Sequence, residues 1–247
     1  MPSPKKPKVL IASSLAGLLV LMLLTVFALT RPQRDIPRSE ADPAESRPAG
    51  FNFYEIHRDT VLNRSLRQAL ADQLGDDAIT HRAPVDLTII DPAFTQAHFP
   101  DLHHYYKVLN PAFGGRREHA VTTLTYRRAQ QKEAPFNYIK LVFAQDTGKP
   151  LYFVIVPSDA DPGLFDTLQT KYGPPATIKA HREGDKVLVW KQPDEILAGV
   201  SIRRRGGRIE RELHFYFMAN IKYLIDQEHQ AAEAQRRQTD KASRRAF

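Results

Sequence analysis

The sequence predicts an α+β protein in which one N-terminal transmembrane helix precedes a soluble domain of antiparallel sheet with helices. Three observations carry this prediction. Residues 9–30 contain no charged side chain, as expected of a segment that crosses a bilayer. After residue 50, apolar residues recur with helical period in some segments and with strand period in others. Short turn sequences separate several of the strand-like segments, which is typical of antiparallel hairpins.

The composition is that of a globular protein with room for one ordinary domain. The chain has 247 residues, of which 42% are hydrophobic and 26% are charged. An anchor and a linker leave about 180 residues, enough to bury a core. The chain has no cysteine, so disulfides, zinc–thiolate sites, iron–sulfur clusters, cysteine nucleophiles and a lipid-modified cysteine are excluded.

Residues 1–8 are a short basic tail, and residues 9–30 are predicted to be a transmembrane helix. At ~1.5 Å per residue this segment spans ~33 Å, which matches the ~30 Å hydrocarbon core of a bilayer. A cleaved signal peptide is the alternative, but its apolar stretch is only about 7–15 residues long. The segment Val26-Phe27-Ala28 is also a poor cleavage site. We therefore expect an uncleaved anchor, with the lipid bilayer as its partner.

The charges that flank the anchor predict its orientation. Lysines precede it and arginines follow it, at Lys5, Lys6 and Lys8 and at Arg31, Arg34, Arg38 and Arg47 respectively. The compact lysine cluster on a very short tail favours a cytoplasmic N-terminus. The chain is then a single-pass protein of the bacterial inner membrane with a periplasmic domain. In the opposite orientation, the domain is cytoplasmic and its basic tail binds anionic lipid.

The rest of the chain divides into a linker, a domain and a tail. Residues 31–50 are rich in Pro, Arg, Asp, Glu and Ser, which is typical of a flexible linker. Residues 51–228 form the predicted α+β domain, with a sub-boundary near residues 157–162. Residues 229–247 form a basic tail, either helical or disordered.

Capping signals and periodicity predict the elements of the first half. A helix is expected from Thr60 to Leu74, with Asp59 as its N-cap and Gly75 as its stop, followed by a strand from Val85 to Ile90. Two further helices are expected, because proline is favoured at the first helical position. They begin at Asp91-Pro92 and at Phe99-Pro100, and the second ends at Asn110-Pro111.

Three strands should follow. They are Val121–Arg128, Asn137–Ala144 and Leu151–Pro157, and the last two flank the turn sequence Asp146-Thr147-Gly148-Lys149. Residues 151–156 are apolar at every position, which predicts a central strand.

A second helix-and-strand series is predicted for the remaining residues. A helix beginning at Asp161-Pro162 closes at Gly173-Pro174-Pro175, and strands follow at Lys186–Lys191, Leu197–Arg204 and Ile209–Phe217. If Gly206-Gly207 is a two-residue turn, Arg203 faces Glu210 and Ser201 faces Glu212, and the sheet has one solvated face. A last helix begins near Met218.

The two halves therefore suggest tandem α-β-β-β units. The first helix ends at Leu109-Asn110-Pro111 and the second at Tyr172-Gly173-Pro174, and three strands follow each. A helix that ends in Tyr-Gly-Pro-Pro is followed by a Trp-bearing strand and then by a hairpin. This arrangement resembles the α-β-β-β modules of bacterial envelope proteins. Examples are the small lipoprotein of the outer-membrane barrel-assembly machinery and the β-lactamase inhibitory protein. The resemblance implies protein binding through a sheet face, without catalysis.

The sequence carries few signals of chemistry. It has no Gly-rich phosphate loop, Gly-x-Ser-x-Gly elbow or His-Glu-x-x-His motif, so we predict no catalytic residue and no cofactor. The candidate metal ligands are His98, His103 and His104, with Asp91 or Asp101. Because neighbouring helical residues point about 100° apart, surface histidines are the favoured interpretation.

A formal net charge of +7 is compatible with nucleic acid, anionic lipid or an acidic partner. A charged hairpin accounts for the central arginines and disfavours nucleic acid. Arg203, Arg205, Arg208 and Trp190 form the predicted partner-binding surface. The expected function is a membrane-anchored binding or assembly module whose partner is another envelope protein. An enzyme with a site near His98–His104 is the alternative.

Overall fold

The computed structural model describes residues 50–112, 116–127, 129–158, 163–180, 185–203 and 209–246. These residues belong to one compact unit, Arg47–Phe247. The predicted basic tail, transmembrane helix and nearly all of the linker precede the first of these ranges. Within the described ranges, no helix combines the length and the hydrophobicity needed to cross a membrane.

Five α-helices are present in the described residues. They are α1 (Arg64–Leu74), α2 (Pro92–His98), α3 (Pro100–Leu109), α4 (Leu164–Tyr172) and α5 (Met218–Ala246). The sequence signals for α2 and α3 are confirmed, since Asp91 caps α2 and proline occupies the first turn of both. Helix α1 begins later than expected, because the side chain of Asn63, and not that of Asp59, accepts the Leu66 amide at 2.8 Å.

The strands form a large antiparallel sheet, which confirms the predicted α+β class. Its eight strands lie in the order β1-β4-β5-β6-β10-β9-β8-β7. They are β1 (Ala78–Thr80), β4 (Val121–Tyr126), β5 (Phe136–Ala144), β6 (Pro150–Pro157), β7 (Ala176–Lys179), β8 (Lys186–Gln192), β9 (Glu195–Arg203) and β10 (Ile209–Phe217). A separate pair joins β2 (Ala83–Pro84) to β3 (Glu118–His119). The apolar strand β6 is central, as its sequence predicts.

Both faces of the central strands are buried, and this corrects the expectation of one solvated face. On face A, strand residues such as Phe153 and Phe215 pack with α1, α4 and the segment that begins at Phe51. On face B, residues such as Val142 and Val200 pack with α2, α3 and the first turns of α5. A two-sided core accounts for the nearly continuous apolar sequence of the central strands.

The hairpin β9–β10 has a different register from the one expected. Arg203 pairs with Ile209, and Ser201 pairs with Arg211. This register is centred on Gly206, whereas the expected one is centred between Gly206 and Gly207. Residues 204–208 lie outside the described ranges. The observed register differs from the expected one by one residue. Glu210 therefore lies opposite Ile202 and not opposite Arg203.

The predicted strand Val85–Ile90 is also corrected. This segment forms no ladder, although Val85, Leu87 and Ile89 are fully buried in the core of face B. An extended chain lying over a sheet buries alternate residues, so it produces the period of a strand without the hydrogen bonds of one.

The two halves of the sheet share one order of elements. Helix α1 and strand β1 precede β4, β5 and β6, whereas α4 and β7 precede β8, β9 and β10. Both helices pack on face A and end at a glycine with φ of 84°, Gly75 and Gly173. The counterpart of α4 is therefore α1 and not α3, which packs on face B.

Candidate functional site

The C-terminal helix α5 is long and only partly packed on the domain. Ile221, Leu224 and Ile225 are buried in the core of face B. From His229 to Arg244, every residue is exposed. At ~1.5 Å per residue, the exposed part extends about 25 Å. The tail predicted at residues 229–247 is thus helical to Ala246 and continuous with a helix of the domain.

The exposed part of α5 has an uncharged side and a charged side. With 3.6 residues per turn, the face that begins with Ile221 and Ile225 continues through Ala232, Gln235 and Thr239. The basic side chains of this part lie outside that stripe, at Arg236, Arg237, Lys241 and Arg244. The acidic residues Glu233 and Asp240 lie on the same charged side. The helix therefore extends an uncharged stripe beyond the domain, beside a charged side in which basic residues outnumber acidic ones.

His119 holds the middle of α5 against the domain. Its side chain is buried, and its Nδ1 lies 2.7 Å from Oε1 of Glu228 on the helix. Its Nε2 lies 2.9 Å from the carbonyl oxygen of Leu109 at the end of α3. A carbonyl oxygen can only accept, so Nε2 carries a proton.

A cleft of about 260 Å³ lies beside this pair, at the base of the exposed part of α5. Its apolar lining comes from both helices that His119 joins, at Val108, Leu109, Ile225 and Ala232. Its polar lining consists of Arg117, Glu228, His229, Glu233 and Arg236. The Leu109 carbonyl and the Glu228 carboxylate both contact the His119 ring, so this histidine sets the separation of the two walls.

The acidic groups that line the cleft have partners within the domain, whereas two of its arginines have none among the described residues. Oε1 of Glu228 lies 2.7 Å from Nδ1 of His119, and Glu233 lies 3.5 Å from the guanidinium of Arg237. Arg117 and Arg236 have no ion pair or hydrogen bond in the described part of the chain. The positive charge that remains would favour an anionic group in the cleft.

Two of the residues predicted to form a partner-binding surface, Trp190 and Arg203, lie in the described part of the chain. Trp190 is only 4% exposed, and its Nε1 donates to the carbonyl oxygen of Gly173 at 2.7 Å. The indole therefore closes the end of α4 and offers little area to a partner. Arg203 is exposed, and its backbone amide donates to Asp185 at 2.7 Å. Arg205 and Arg208 lie outside the described residues.

The three candidate histidines are not gathered around one point. His98 packs its ring 4.6 Å from that of Phe94 within α2. His103 and His104 follow in α3, beside Tyr106 and Tyr105 respectively. Among the described residues, no group of three or more histidine, aspartate or glutamate side chains is placed to hold a metal ion.

Strand β10 carries a row of three polar side chains that belongs to no sequence motif. Nε2 of His214 lies 3.0 Å from Glu212, and Nδ1 lies 3.2 Å from the hydroxyl of Tyr216. Burial raises the pKa of Tyr216 well above its ordinary value, so the phenol stays protonated to a higher pH than that of an exposed tyrosine. The row acts as a hydrogen-bonded network within face B. Its sequence signal is the spacing of two residues, which places all three side chains on one side of a strand.

Comparison of the chain with known protein families, characterised proteins and solved structures finds no match of any of the three kinds.

Proposed function

We propose that this protein is a membrane-anchored binding or assembly module of the bacterial inner membrane, with a periplasmic domain that binds another envelope protein. The observation that carries the proposal is the exposed part of α5. An isolated helix of this length is marginally stable in water, and most helices gain stability by packing an amphipathic face. A helix that continues from a packed segment into solvent is suited to packing against a partner.

The properties of the helix favour a protein partner over a lipid surface. Helices that bind membranes by insertion carry bulky apolar residues such as Trp, Phe and Leu on one face. The uncharged stripe beyond Glu228 instead carries Ala232, Gln235 and Thr239. Small side chains permit close approach of a second helix, because the interaxial distance depends on the residues at the contact.

The sheet is a less suitable binding surface in this fold. The resemblance to envelope α-β-β-β modules implies binding through a sheet face. In the described residues, face A is covered by α1 and α4, and face B by α2, α3 and α5. The shared order of elements in the two halves supports a tandem origin of the domain, and the proposed surface lies outside that repeat.

Site-specific photocrosslinking in living cells tests the proposal. A photoreactive amino acid replaces Gln235 on the uncharged stripe of α5 in the full chain. The matched control carries it at Asp166, an exposed position on α4. We expect a discrete crosslinked protein at position 235 and none at position 166. Equal labelling at both positions, or none at position 235, would contradict the proposed surface.

The orientation requires a separate measurement. Alkaline phosphatase fused after Phe247 should be active, because the enzyme folds only where disulfides form. A cytoplasmic reporter at the same position should be inactive. The reverse pattern would exclude a periplasmic domain and support the cytoplasmic alternative.

A further inference from the structure

We infer that the cleft between α3 and α5 binds a carboxylate side chain of the partner protein, next to an apolar side chain of the same segment. The inference rests on the proposed function and adds the contact that determines which partner is bound. The occupant it names is an acidic helical segment.

The size of the cleft argues for a side chain. Pockets for small molecules and cofactors are ordinarily about 300–1,000 Å³. The cleft measures about 260 Å³ and is open to solvent at the base of the exposed helix. It is therefore better matched to one or two side chains of a docked segment than to a separate cofactor.

The charge of the cleft argues for a carboxylate. Both acidic groups in its lining already have partners, since Glu228 lies 2.7 Å from His119 and Glu233 lies 3.5 Å from Arg237. Arg117 and Arg236 line the same cleft and have no ion pair or hydrogen bond among the described residues. A guanidinium group is suited to bidentate pairing with a carboxylate.

The apolar lining argues for a second, hydrophobic contact. Val108, Leu109 and Ile225 belong to the end of α3 and the packed part of α5. In a helical segment, residues three or four positions apart lie on the same face. A segment with an acidic residue and a leucine at that spacing places both side chains in the cleft.

The position of the cleft joins it to the proposed helix surface. Ala232 and Arg236 line the cleft and belong to the exposed part of α5. A partner helix lying along the uncharged stripe would therefore reach the cleft at the base of that stripe. His119 is a positioning residue here, because it joins the two walls without lining the cleft.

Peptide binding to the full-length chain in detergent micelles tests the inference. The probes are a fluorescent helical peptide of alanine, leucine and glutamate, and the same peptide with glutamine in place of each glutamate. The variant is Arg117→Gln with Arg236→Gln. The control is Arg244→Gln, which removes an equally exposed arginine of α5 outside the cleft.

We expect the glutamate peptide to bind the unaltered chain and the glutamine peptide to bind about tenfold or more weakly. The double variant should weaken binding of the glutamate peptide by a similar factor, and Arg244→Gln by less than about twofold. Equal binding of both peptides would overturn the inference. So would an absence of binding, or a loss in Arg244→Gln as large as that in the double variant.

A further comparison separates failure of the cleft from failure of the proposed function. The photocrosslink at position 235 is repeated in the double variant. A crosslink that persists at full yield overturns the cleft contact and leaves the helix surface supported. A crosslink that is lost in the double variant but retained in Arg244→Gln supports both.

Discussion

Nδ1 of His119 and Oε1 of Glu228 lie 2.7 Å apart, and this contact joins residues 109 positions apart in the sequence. The same imidazole reaches the last carbonyl of α3, so one buried side chain ties two helices together. Beyond this contact, α5 leaves the domain. The pair therefore marks the point where the core ends and the proposed binding surface begins.

Loss of the Glu228 carboxylate should destabilise the domain. In Glu228→Ala, the buried Nδ1 of His119 loses its partner. A buried polar group left without a partner costs about 1–3 kcal/mol, and we expect that decrease in the free energy of unfolding. Urea denaturation of the full chain in detergent measures it. Glu233→Ala is the control, because Glu233 is exposed, and its effect should stay within about 0.5 kcal/mol.

The same substitution should loosen α5 locally. Hydrogen exchange at the amides of residues 221–228 should become faster in Glu228→Ala, because the helix loses its attachment to α3. Amides of β6 in the centre of the sheet should keep their exchange rates. Unchanged exchange in α5 would show that the apolar residues Ile221, Leu224 and Ile225 hold the helix without the ion pair.

Glu195 should make stability depend on pH. Burial raises the pKa of its carboxyl, while the Phe51 amide, which donates to it at 2.7 Å, and Arg58 oppose the rise. The folded state therefore binds this proton more tightly than the unfolded state does. The stabilisation is complete below the unfolded pKa, about 4.3, and is lost as the pH rises through the folded pKa.

Glu195→Gln provides the comparison. Glutamine keeps an oxygen that can accept from the Phe51 amide and does not titrate. Thermal unfolding between about pH 4 and pH 7 should show the unaltered protein losing more stability with rising pH than the variant. Parallel curves for the two proteins would show that Glu195 has the same proton affinity in both states.

Gly199 should not tolerate a larger side chain. A Cβ at this position of β9 would lie 2.4 Å from Cε1 of Phe165, which belongs to α4. Overpacking in a core costs about 1–3 kcal/mol, and we expect Gly199→Ala to lower the free energy of unfolding by that amount. In a Phe165→Leu background the same change should cost less. An equal cost in both backgrounds would exclude the aromatic ring as the cause.

Trp190 should report the folding of the second half of the sheet. It is the only tryptophan of the chain, and only 4% of its surface is exposed. Its fluorescence should shift to longer wavelength when urea unfolds the domain. In Trp190→Phe, the carbonyl oxygen of Gly173 loses its donor, and the free energy of unfolding should decrease by about 1–3 kcal/mol. An unshifted spectrum would contradict the burial of the indole.

Local signals made several elements predictable. The starts of α2 and α3 at Pro92 and Pro100, and the ends of α1 and α4 before Gly75 and Gly173, follow from the conformations that proline and glycine favour. The hairpin around Gly148, whose φ is 66°, was predictable for the same reason. These residues restrict the backbone over a few positions, so their effect does not depend on distant contacts.

Long-range relations were not predictable from these signals. Residues Val85–Ile90 have strand period, but only the packed structure shows that they cover face B without pairing. His119 and Glu228 were likewise not predictable, because neither belongs to a recognisable sequence pattern. Their role depends on α3 and α5 meeting on the same face of the sheet.

The sequence by itself determined the α+β class, the antiparallel hairpins and most helix ends, since these depend on residue period and on backbone preferences over a few positions. Only the tertiary structure decided that both faces of the sheet are covered, that Trp190 is buried and that α5 extends into solvent beyond Glu228. These features depend on which surfaces, distant in the sequence, pack together and exclude water. A local pattern shows that a face is apolar but does not show which element covers it.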